Sequence, residues 1–210
     1  MKVEFKNQIN TLEELREILG FPRELVQKKS INFIDGHCKN FIAKSPMLFL
    51  STANKDGSCD VSPRGDPAGF VDVLNEQYLV LPERPGNKRC DSMVNILSNP
   101  HIGLIFIIPG LKETLRINGK AILSRDKDLL EKYQINGKCP EVGIIVEVEE
   151  CYIHCAKAFL RSKLWEPETW LEKEQLPVVA KVLADHINSE NFSSEEIASV
   201  LSESYLKRLY

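Results

Sequence analysis

The chain has 210 residues, 43% of them hydrophobic, with 27 Lys+Arg against 30 Asp+Glu and a formal net charge of -3. That length accommodates one large domain or a core with an appendage, and the charge balance excludes a broadly basic surface for nucleic acid, so any anion binding must be local. No stretch approaches the roughly 20 apolar residues of a membrane span, and the opening Met1-Lys2-Val3-Glu4-Phe5-Lys6 alternates charge with hydrophobe, unlike a signal peptide; a cytoplasmic protein with no membrane partner is expected.

Along the chain, Thr11-Leu12-Glu13-Glu14 has the form of a capping box, with Leu15, Ile18 and Leu19 at helical spacing and Gly20 as a stop. A second helix is expected from near Pro22 and a third over 31–43, ended by Pro46. The pattern then changes to strands at 47–53, 59–62, 69–73, 78–81, 101–107, 113–124 and 142–154, with Asn54-Lys55-Asp56-Gly57 as hairpin chemistry and one helix inserted at 91–97. Closely spaced strands with a single inserted helix predict a small antiparallel barrel. After Trp165 helices return at 176–187 and from Ser194, and their apolar positions need cover from the barrel or from a second subunit.

The segment 61–121 carries most of the chemistry, with Arg64, Arg84, Arg89 and Arg116 set among apolar strands. Guanidinium forks suit phosphate oxygens. Gly86-Asn87-Lys88-Arg89 leads into a helix whose first amides can face the same anion, with Gly86 free to take positive φ and Asp91 or Ser92 placed to cap. Arg84 is equally suited to pairing with Glu83 or Asp66. Asp66 and Asp91 read as a turn residue and a helix cap rather than as a catalytic pair.

No G-x-S-x-G elbow, G-x-x-x-x-G-K-[ST] loop or G-x-G-x-x-G fingerprint occurs, so the common hydrolase and nucleotide-binding signatures are absent. Cys151, His154 and Cys155 form a C-x-x-H-C corner. A zinc site needs about four ligands, no second pair completes the set, and no metal is expected. Six cysteines without disulfide-scaffold spacing read as thiols of a reducing compartment.

Taken together, the SPRGDP strand end, the LPERPGNKRCDSMVNI loop and helix, the NPHIGLIFIIPG strand and the TLRINGKA strand resemble the flavin-binding split-barrel proteins related to pyridoxamine 5'-phosphate oxidase, in a branch with a helical C-terminal extension. The resemblance covers roughly residues 45–165. It implies a six-stranded antiparallel FMN-binding split barrel over 45–165 with a helical extension over 166–210, which together with the helical segment 1–44 read above, packed on the barrel, makes a mainly β fold with flanking helices. It further implies a homodimer with FMN at the subunit interface.

By the same resemblance Arg64, Arg89 and Ser92 are the expected phosphate ligands, with Asn87 and Lys88 adjacent and Arg116 facing the flavin. Lys157, Arg161 and Trp165 follow the last strand, where relatives bring residues to the cofactor from the partner chain; for Trp165 an anchor between barrel and tail is an equal reading. The expected function is an FMN-dependent oxidoreductase acting on an unknown small molecule, with NADH or NADPH as a possible electron donor and no assigned catalytic side chain. The alternative is a non-catalytic flavin- or haem-binding carrier or sensor, with His154 or His101 as axial ligand. The arginine and histidine signature of the pyridoxal phosphate-forming oxidases is missing, since the corresponding stretch reads FLRSKLWEPETW.

Overall fold

The computed structural model describes residues 3–189 and 191–210. Helix α1 (Leu12–Leu19) starts at the expected capping box: the Thr11 hydroxyl accepts from the Glu14 amide, the Glu14 carboxylate accepts from the Thr11 amide, and Gly20 at φ 72° ends the helix. α2 (Glu24–Lys28) follows, and neither helix buries a residue.

α3 (Gly36–Lys44) begins later than its apolar pattern predicts. The Asp35 carboxylate accepts from the Cys38 amide at 2.7 Å and sets the start, while Ile31 is drawn out of the helix by two backbone hydrogen bonds to Cys151. α3 buries Cys38, Phe41 and Ile42 in the core.

Asp35→Ala should therefore cost about 1 kcal/mol of stability, the usual worth of an N-cap. The amide bond of Cys38 is the largest influence holding the Asp35 carboxyl below its ordinary value. With the folded value depressed, the cap's contribution is complete above the unfolded value of about 3.9 and is lost as pH falls through the folded one. Chemical denaturation of both proteins across this range should show their stability difference shrinking toward acid.

β1 (Met47–Ala53) and β2 (Cys59–Gly65) form a hairpin whose turn is closed by Asn54 Oδ1, which accepts from the Asp56 and Ser58 amides at 2.9 Å each. The order continues with β3 (Asp72–Val73), β4 (Tyr78–Pro82), α4 (Asp91–Ser98), β5 (His101–Ile107), β6 (Thr114–Ser124), α5 (Lys127–Leu130), β7 (Gly143–His154), α6 (Lys157–Ser162), α7 (Val179–Ile187) and α8 (Ser194–Lys207). The strands make one antiparallel sheet in the order β2-β1-β5-β6-β7-β4-β3.

The fold is thus mainly β with flanking helices, as expected, with the seven strands of the sequence pattern in place of the six that the resemblance implies. The strand expected over 69–73 is reduced to the two-residue edge β3, because Gly69 turns the chain at φ 85°.

Alternation sorts the strands into two faces. Leu48, Leu50, Leu104, Phe106, Leu115 and Ile117 point to one side and are fully buried, and α3 and α4 pack over that interior. Strand pairing puts Arg64 opposite Leu48, Ser62 opposite Leu50 and Asp60 opposite Thr52, so β2 adds a polar row to the inner face. The outer face carries Met47, Phe49, Val61, Ile105 and Arg116, of which Met47, Val61 and Ile105 are exposed.

Between β6 and β7 the register slips after Asn118, leaving Glu149 without an opposite residue, a β-bulge. In the tail α7 and α8 pack on each other, and α8 starts at a second capping box, Ser193 with Glu196.

Candidate anion-binding site

β2 is a sheet edge, so the inner side of its polar row is covered by α4 rather than by another strand. Polar contacts to β1 and β2 seat the helix. Asn95 donates to the Thr52 hydroxyl at 3.0 Å, and Ser92, 2% exposed, donates to Asp60 Oδ2 at 2.5 Å.

Arg64 enters the same cluster: Nε donates to the Ser62 hydroxyl at 3.2 Å and Nη2 to the Ser92 hydroxyl at 3.3 Å, while Nη1 pairs with Glu83. Ser62 and Ser92 lie 2.8 Å apart, oxygen to oxygen. Of the expected phosphate residues, Arg64 and Ser92 are brought together although 28 residues separate them in sequence.

The loop before α4 has a backbone different from the expected one. Gly86 keeps ordinary φ; positive φ falls on Lys88 at 62° and Cys90 at 59°, where a side chain is disfavoured. Cys90, and neither Asp91 nor Ser92, is the N-cap, and it makes no side-chain cap bond. An uncapped first turn leaves amides available to an anion. Asn87 is spent within the loop, its Oδ1 accepting from the Arg89 amide at 3.0 Å. Arg89 is 73% exposed and pairs with Asp91 at 2.8 Å, and Lys88 is also exposed.

Arg84 is placed away from this set. Its Nε donates to Asp66 at 2.6 Å and its Nη1 to the Tyr133 carbonyl at 2.7 Å, and Tyr210 donates to the other oxygen of Asp66 at 2.7 Å. Of the two partners considered for Arg84, the structure selects Asp66, while Glu83 serves Arg64. Tyr133 donates to Asp72 at 2.8 Å; burial first, and then this bond, push its hydroxyl well above the usual range. These contacts fasten the end of the tail and the segment after α5 to the barrel.

Arg116 lies on the outer face, over the Tyr152 ring at 5.9 Å, and therefore on the side of the sheet opposite Arg64. Lys157 and Arg161 are exposed on α6. Trp165 stacks on Phe159 with centroids 5.7 Å apart, and its Nε1 donates to the Leu111 carbonyl at 2.9 Å. Within one chain it joins α6 to the β5–β6 connection. The C-x-x-H-C corner is divided by strand alternation: Cys151 is buried against Cys38, whereas His154 and Cys155 are exposed. Among the described residues no group of three His, Cys, Asp or Glu could hold a metal ion.

The cluster therefore sets Arg64 and two serine hydroxyls against two carboxylates, Asp60 and Glu83, below an uncapped helix turn, while Lys88 and the Arg89–Asp91 pair lie exposed in the loop that leads into that turn. Planar guanidinium donors, hydroxyls and free amides fit a phosphate group. Asp60, Ser62 and Glu83 were not singled out from the sequence as members of the site; the period-two row Asp60, Ser62, Arg64 was the signal that could have found two of them.

This polar cluster lies beneath an inserted helix, on the edge strand of a split barrel. Residues 34–155 match the family model described as pyridoxamine 5'-phosphate oxidase, and the chain belongs to that family. No curated protein matches it closely.

Among solved structures it is similar to HupZ of Group A Streptococcus, at 18% identity over 57% of this chain and 93% of that one, TM-score 0.46. It is also similar to general stress protein 26 of Bacillus anthracis, at 17% identity over 56% and 93%, TM-score 0.42. A third, an FMN-binding protein of Syntrophomonas wolfei, is 11% identical over 68% and 93%, TM-score 0.43. No helix among the described residues is long and apolar enough to cross a membrane.

Proposed function

We propose that the chain is an FMN-binding flavoprotein that acts as an oxidoreductase on a small molecule. The observation that carries this reading is the convergence of Arg64 and Ser92 beneath the uncapped first turn of α4. Arg64, Ser62 and Ser92 hold the phosphate together with the amides of that turn, and Arg89 and Lys88 swing in from the exposed loop. Bound FMN supplies hydride exchange at its ring. The protein binds and orients it, and cations near the ring favour its anionic reduced form.

Arg64 and Arg116 face opposite sides of the sheet, so one ligand meets both kinds of residue only where a second copy lays its outer face against the first. The exposed Met47, Val61 and Ile105 around Arg116 supply an apolar surface for that contact. In the resulting homodimer, Arg116, Lys157, Arg161 and Trp165 approach the flavin held by the partner.

Titration of the purified chain with FMN and with riboflavin tests the reading. Micromolar binding of FMN and much weaker binding of riboflavin, which lacks the phosphate, is the expected result; equal affinity for both, or none for FMN, ends it. Anaerobic addition of NADH or NADPH then separates an enzyme, whose flavin bleaches and turns over, from a carrier, whose flavin stays oxidised. Arg89→Ala should weaken FMN about tenfold, the low end for a charge-assisted bond, because the group is exposed to solvent. Fluorescence titration at low and high salt measures it, and the loss should shrink as salt rises.

A further inference from the structure

Two thiols that the flavin chemistry does not use face each other in the core. Cys151 on β7 is fully buried, Cys38 in the first turn of α3 is 7% exposed, and their sulfur atoms are 3.3 Å apart with the Cys151 thiol donating to Cys38. The residues are 113 positions apart, so the pair is made by tertiary structure alone. The backbone is already fastened beside it: Ile31 and Cys151 exchange hydrogen bonds of 3.0 and 2.7 Å, and Asp35 fixes the first turn of α3 through the Cys38 amide. The other four cysteines, Cys59, Cys90, Cys139 and Cys155, are exposed and form no such pair.

We propose that Cys38 and Cys151 are a reversible dithiol–disulfide couple that responds to hydrogen peroxide and, when oxidised, locks α3 to β7. The Cys38 sulfur attacks one peroxide oxygen and the O–O bond breaks. One oxygen stays on Cys38 as a sulfenic acid, and the other leaves as water with the Cys38 proton. The Cys151 sulfur then displaces the oxygen from Cys38; the S–O bond breaks, the S–S bond forms, and a second water departs with the Cys151 proton. Two thiols lose two electrons in total and one peroxide becomes two waters.

The order of attack follows from the surroundings. The hydrogen bond from Cys151 is the largest influence on Cys38 and favours its thiolate, whereas the same bond, and then burial, disfavour the thiolate of Cys151. Cys38 is also the less completely buried of the two, 7% exposed against 0% for Cys151.

The test is peptide mapping of the intact full-length chain before and after one equivalent of peroxide, with alkylation of the remaining thiols. A peptide pair joined through Cys38 and Cys151, lighter by two hydrogen atoms and restored by dithiothreitol, is expected. Closing so long a loop should also raise the melting temperature by roughly 10 °C. Oxidation confined to the exposed cysteines, or sulfinic acid at Cys38 without the cross-link, overturns the proposal. Cys38→Ser should abolish the cross-link and the thermal shift together; because the mapping is done on the wild-type chain, the outcome does not depend on that variant folding. The flavin reading plays no part in either result.

Discussion

Arg64→Ala should weaken FMN binding by about ten- to a hundredfold, because each charge-assisted bond lost from a phosphate is worth about 1.5–3 kcal/mol. Two features place it above the loop cations. Its side chain is only 20% exposed, so water replaces it poorly, and its partner Glu83 is similarly covered at 22%. Removing Arg64 also leaves the Glu83 carboxylate without its paired cation beside the proposed phosphate position.

The companion Glu83→Gln keeps the shape of the contact but withdraws a negative charge that competes for Arg64; FMN binding should tighten several-fold. Riboflavin affinity should move little in either variant. Calorimetric titration of both ligands measures all four numbers. An unchanged FMN affinity in Arg64→Ala would assign the residue to the structural ion pair alone.

Gly119→Ala is the second large expectation, and it concerns folding rather than binding. An added Cβ at Gly119 would sit 2.0 Å from the Glu147 carbonyl oxygen and 3.3 Å from Val148 Cα, both backbone atoms of β7. Neither is the flexible end of a side chain, so the strands themselves must part at the bulge. A loss of about 3 kcal/mol or more is expected, at the upper end for overpacking, or roughly 10 °C in melting temperature. A thermal melt measures it. A variant as stable as the wild type would mean that β6 and β7 can separate here without cost.

Gly119 also shows where local chemistry and tertiary structure part company. Asn-Gly is hairpin-turn chemistry elsewhere, yet here the pair sits inside an eleven-residue strand. Long-range pairing with β5 on one side and β7 on the other outweighs the local preference. The strand expected over 113–124 matches β6, with the pair in its middle.

Helix starts were legible where a side chain caps its own backbone, as at Thr11, because that interaction is complete within four residues. The start of α3 is not legible for the opposite reason: Ile31 continues the apolar pattern but bonds to Cys151, far along the chain. The loop before α4 departs from its local pattern because its left-handed residues are Lys88 and Cys90 and not its glycine.

By itself the sequence determined the main helical and stranded regions and the family, since periodicity and the SPRGDP and NKRCDS motifs are carried by neighbouring residues. Only the tertiary structure decided that Glu83 pairs with Arg64 and Asp66 with Arg84, that Arg64 and Arg116 lie on opposite faces, and that Cys38 meets Cys151. The physical reason is common to all of these: each depends on sheet register and on which helix covers which strand, and those are settled by burial across the whole core.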